Sequence, residues 1–155
     1  MGSSNYITDK VQRALAAFLK AQTFTGIPAA QIYKGIEHVA QENEDLEQTS
    51  RVLPCIECLC TEADADTMEG ILWRATALVT VVTNADDTTE DQHHAFAEAV
   101  FNTITTDSIS TDLSAALPDF YCYACLPQRQ EWGIQGRAWG ATMTFQVQCV
   151  GSDIT

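Results

Sequence analysis

The chain has 155 residues, 46% of them apolar, and carries 21 acidic against 8 basic side chains for a net charge of −13. That length suits one core rather than several, and the apolar share excludes a disordered chain. The charge sets most of the surface against nucleic-acid phosphates and anionic membranes.

A single domain over 1–155 is expected, with loose ends at 1–6 and 151–155. The apolar runs are broken by Thr, Arg or Glu well short of the ~20 residues a membrane span needs. Met1-Gly2-Ser3-Ser4-Asn5-Tyr6 has no basic-then-apolar secretion pattern, and Tyr6 stands where a myristoylation signal wants Ser or Thr. A protein made in the cytoplasm, without a membrane partner, is therefore expected.

In chain order, Ile7, Val11, Leu15, Phe18 and Leu19 fall on one face of a helix over 7–22, with Asn5 or Thr8 as its cap. Gly26 and Pro28 end it. A short strand is expected over 32–38. Residues 41–50 are polar and acidic and read as a solvated loop. Val52 to Cys60 reads as a strand entered at Pro54. An acidic loop over 61–69 follows, then a β-branched strand from Ile71 to Val82. The two strands make a hairpin with a long tip.

Thr88 with Asp91, or Thr89 with Gln92, has the spacing of a capping box, opening a helix over 89–105 with a stripe of His93, Phe96, Ala97, Val100, Phe101 and Ile104. Ser110 to Leu117 predicts a short helix. Phe120 to Leu126 predicts a strand, and 127–137, with Pro127, Gly133 and Gly136, a turn region. Trp139 to Cys149 alternates apolar with polar residues and is the clearest strand. The fold class is α+β: a mainly antiparallel mixed sheet with two principal helices, whose Leu15, Phe18, Phe96 and Val100 meet Met143, Phe145 and Val147.

Chemistry is sparse. Two Cys-x-x-Cys pairs, Cys55/Cys58 and Cys122/Cys125, have the residue types of a zinc site. They lie in strand-like runs without a tight turn, where residues three apart point to opposite faces. With Cys60 and Cys149 they read as small buried hydrophobes. His93 and His94 stand beside Asp86, Asp87, Glu90 and Asp91, where capping and the helix dipole account for the carboxylates, and both histidines are expected half exposed. No phosphate loop, nucleophile elbow or zinc-protease motif occurs. No catalytic residue, metal or cofactor is assigned, and a protein acting by binding other proteins is expected. Glu62, Asp64, Asp66 and Glu69 are the candidate interaction residues: four clustered carboxylates that must face water, a channel or a basic neighbour.

The order of several short signatures resembles one family. They are Val11-Gln12-Arg13-Ala14-Leu15-Ala16-Ala17-Phe18-Leu19, Leu53-Pro54-Cys55-Ile56 before an acidic hairpin, and Trp73-Arg74-Ala75. Asp86-Asp87-Thr88-Thr89 follows with His93 and Phe96-Ala97-Glu98-Ala99-Val100, and then Gly136-Arg137-Ala138-Trp139. Together, over roughly 7–150, they resemble the tail terminator (tail completion) proteins of long-tailed bacteriophages, including the lambda type. Residues 1–6 and 41–50 do not map onto that family.

The resemblance implies a structural protein of the virion neck. It implies a six-fold ring of the chain with itself, contacts with the tail tube protein and the head-tail connector, and DNA passing through the lumen without specific binding. Another connector protein, a stopper or adaptor, is the alternative, and a Cys-x-x-Cys zinc protein is the alternative from a different class.

Overall fold

The computed structural model describes residues 6–35, 52–65 and 72–150. In order, the elements are α1 (Ile7–Lys20), β1 (Ile32–Lys34), β2 (Cys55–Ala65), β3 (Leu72–Asn84), α2 (Glu90–Ile104), α3 (Ile109–Ala116), β4 (Tyr121–Gln135) and β5 (Ala138–Val150). The strands form a sheet in the order β1-β2-β3-β5-β4. β1 joins β2 in parallel, and every other pairing is antiparallel, so the sheet is mixed.

Alternation decides which face is covered. Along β3 and β5, Ala75, Ala77, Val79, Val81, Ala141, Met143, Phe145, Val147 and Cys149 are buried, while the residues between them stay partly open. The buried positions join Val11, Leu15, Phe18, Leu19, Val100, Ile104 and Leu113 in one core. The helices thus cover one face, and no described residue outside the sheet covers the other, as antiparallel sheets allow. The expected core is present, except that Phe96 is only partly buried; it packs at the core's margin. There it closes on Gly26, which holds φ at 88°, and a Cβ at that glycine would lie 2.9 Å from the Phe96 ring.

Several boundaries differ from the sequence reading. Helix α1 is preceded by Tyr6 as its N-cap, whose side chain makes no capping bond; Thr8 is already inside the first turn, and Asn5 lies outside the described residues. Strand β1 stops at Lys34, and residues 36–51 likewise lie outside them. Strand β2 continues to Ala65, into the segment expected to be a loop, whose residues 66–69 lie outside the described residues. Ala63 faces Ala75 on the helix side, and a bulge after Cys60 turns Glu62 and Asp64 outward, opposite Thr76 and Arg74. Acidic residues alternating with alanine are compatible with a strand when one face is open.

Strand β4 also runs on, through the expected turn region to Gln135. The turn shrinks to Gly136 and Arg137, with Gly136 at φ 60°. Pro127 is tolerated because β4 is the edge strand, beside a bulge that absorbs Gln128. The capping box of α2 forms as expected: Gln92 N donates to Thr89 Oγ1 at 3.2 Å, and Thr89 N donates to Gln92 Oε1 at 2.9 Å.

Candidate interaction surface

The residues singled out for chemistry are placed in ways that restrict what they can do. All six cysteines are buried thiols. Cys55 and Cys58 pair with Val82 and Val79 in an unbroken register, which sends them to opposite faces. Cys122 and Cys125 correct the sequence argument. A bulge between Cys122 and Ala124 absorbs one residue, so both face the helix side, opposite Cys149 and Val147. Burial pushes the thiols of Cys58, Cys60, Cys125 and Cys149 up to about 12, and that of Cys122 to about 11. Two of them donate locally at the bulges, Cys60 to the Glu62 carbonyl at 3.7 Å and Cys122 to the Ala124 carbonyl at 3.3 Å. Among the described residues no group of three or more His, Cys, Asp or Glu is arranged to hold a metal ion.

His93 is not half exposed but fully buried, another departure from the sequence reading. Its Nδ1 lies 2.8 Å from Thr83 Oγ1, its ring stacks on Trp139 at 6.1 Å, and its Nε2 is buried with no hydrogen-bond partner. Burial, reinforced by the neighbouring His94, depresses its pKa; a pull from the Gly140 backbone, outside hydrogen-bonding geometry, opposes them and is weaker. His94 is partly exposed, 3.5 Å from Glu90 and in edge contact with Trp132 at 4.8 Å. The pair anchors the start of α2 on the β4–β5 hairpin, helped by Trp139 Nε1 donating to the Thr88 carbonyl at 2.8 Å.

The described surface instead shows contact chemistry at two places. At the acidic one, Glu62 and Asp64 are exposed on the open face of β2. Asp66 and Glu69, the other two candidate residues, lie outside the described residues. The second place was missed by the sequence reading. Tyr121, Tyr123, Leu126, Trp132 and Ile134 are exposed, and all lie on the edge strand β4. Trp132 and Ile134 alternate with Glu131 and Gly133, a period-two signal masked by Pro127, Gly133 and Gly136. Near the C-terminal end of α1, an open groove of about 830 Å³ runs between α1 and the α2–α3 turn, lined by Phe18, Gln22, Thr106 and Asp112 among small residues. Among its polar groups, the Ser108 hydroxyl donates to Asp112 Oδ2 at 2.9 Å, a contact within the first turn of α3.

Fold and surface define a two-layer α+β protein with an open sheet face and an apolar edge. No protein-family model matches the chain, and no curated protein does. Among solved structures it is similar to a chain of the "Virion of native gene transfer agent (GTA) particle", with a TM-score of 0.59 and 15% identity over 91% of this chain and 95% of that one. At that identity the likeness shows a shared fold.

Proposed function

We propose that this chain is a structural virion protein of phage type. In its finer form the proposal is a tail terminator: a ring of copies that caps the tail tube and joins it to the head connector. The observation that carries the virion reading is the fold shared, nearly end to end, with a chain of a gene transfer agent particle. The terminator reading rests on the ordered signatures from α1 to Gly136-Arg137-Ala138-Trp139. The surface is compatible with both, since an apolar sheet edge suits protein contact. Repeated head-to-tail contacts close into a ring when the rotation fits. A strongly acidic chain lets DNA pass without adhering.

The test is to mix purified protein with purified tail tubes and image them by negative stain. A ring seated on one end of the tube is expected. Binding along the tube wall, or none at all, contradicts the terminator assignment. Binding to connectors alone favours a stopper or adaptor.

A further inference from the structure

The charge of this molecule is divided unevenly. From Tyr121 to Val150 the β4–β5 hairpin contains two arginines, Arg129 and Arg137, and one carboxylate, Glu131. The whole excess of carboxylates over cations therefore lies in the rest of the chain. Both arginines are largely exposed, Arg129 2.8 Å from Glu131 and Arg137 3.7 Å from Asp86. The same hairpin carries the exposed Tyr121, Tyr123, Leu126, Trp132 and Ile134. Its outer strand β4 ends the sheet, so one side of its backbone is unpaired by any strand among the described residues.

Toward the far side of the sheet, β1 pairs with β2 only over Ile56 to Cys58, and beyond that stretch β2 carries Glu62 and Asp64 exposed on the open face. Arg129 is on that same open face, opposite Thr144. Tyr121 and Leu126 lie on that face as well, opposite Val150 and Gln146, whereas Trp132 and Ile134 lie on the helix side, opposite Ala141 and Trp139. Tyr121, Leu126 and Arg129 at one side of the sheet and the carboxylates of β2 toward the other thus share one face.

We propose that the occupant of the β4 edge is a second copy of this chain, presenting the β2 side with Glu62 and Asp64 to Arg129. A two-fold contact of β4 with β4 would leave those carboxylates unused. It would also close after two copies, whereas contact between opposite sides of the sheet is head-to-tail and repeats. Strands β2 and β4 run in opposite directions, since β2–β3, β3–β5 and β5–β4 are each antiparallel. A copy set alongside by rotation about an axis parallel to the strands continues that alternation. The bulges at Cys122/Ala124 and Pro127/Arg129 break up the β4 edge, as edge strands commonly are, so side chains carry more of this contact than backbone pairing does. The inference deepens the virion reading and rests on its claim that copies assemble with one another.

The experiment is a charge exchange read by native mass spectrometry and sedimentation, with circular dichroism to check folding. Wild type is expected to self-associate. Arg129→Glu alone, and the pair Glu62→Lys with Asp64→Lys alone, should each weaken association by roughly ten-fold or more, because like charges then face each other. Mixed in equal amounts, the two variants should associate with each other, since every junction between them again joins opposite charges. Leu126→Ser tests the apolar part: the side chain is exposed on the open face, opposite Gln146, and its replacement should weaken association while leaving the monomer folded. Wild type that stays monomeric at the highest attainable concentration overturns self-assembly itself. Association unchanged in the single variants, or lost in them without recovery on mixing, overturns the assignment of these two sides while leaving the virion reading standing.

Discussion

Phe145 is fully buried in the middle of β5, under the ring of Phe101 at 6.0 Å. Phe145→Ala should therefore cost about 3–5 kcal/mol in denaturant unfolding, the range for a buried aromatic whose site cannot collapse. Phe96, at the core's margin, should cost about 1–2 kcal/mol, in proportion to its partial burial. His93 makes stability depend on pH. Its folded pKa is depressed, whereas the unfolded imidazole titrates near its ordinary value of about 6.5. Below that value the unfolded chain binds a proton that the folded chain resists, so stability is full above about pH 6.5 and falls as the pH drops toward the lowered folded value. Denaturant midpoints between pH 7.5 and 5 should show this decline in wild type and much less of it in His93→Gln. Equal slopes would remove His93 as its cause. Asp9 acts at lower pH. Partial burial raises its pKa, but Arg13 at 2.6 Å and Lys34 at 3.6 Å outweigh this and hold it below the ordinary value. Its contribution is present above the unfolded carboxylate pKa and is lost as the pH falls through the folded one.

Among the elements, α2 owes its start to the Thr89–Gln92 capping box, and Thr89→Ala should cost about 1 kcal/mol. That feature was legible in the sequence because capping is local: a hydroxyl and an amide three residues apart are enough. Helix α1 and strand β5 were equally legible, since their periods of 3.6 and 2 run unbroken. Strand β4 was not. Proline and two glycines signal a turn to local reasoning, and only pairing along β5 reveals that an edge strand accommodates them. The acidic stretch of β2 failed for the same reason: its strand character comes from Ala63 and Ala65 lying opposite Ala75 and Trp73, a fact of β3 and not of the segment. Lys10 was missed as well. It is buried with its Nζ 3.1 Å from the Asp119 carbonyl, a partner 109 residues away that no periodicity shows. Of the candidate interaction residues, the exposure of Glu62 and Asp64 was legible because carboxylates without a partner stay in water, whereas the exposed apolar residues of β4 were not foreseen.

Viewed as a whole molecule, this is a strongly acidic chain with a nearly neutral, apolar edge. Neutralising Glu62, Asp64, Asp66 and Glu69 together should leave the fold intact, since Glu62 and Asp64 are exposed and exposed charges contribute little to stability. It should weaken assembly or docking, or increase retention on DNA at low salt. A variant that assembles fully, is not retained on DNA and replaces wild type in particles would make the cluster a passive surface. The virion reading is tested most directly by electron microscopy of particles made from a genome lacking this chain. Heads and tails that form but stay unjoined are expected, with joining restored when the purified protein is added back. Joined, infectious particles at normal titre in its absence would contradict it.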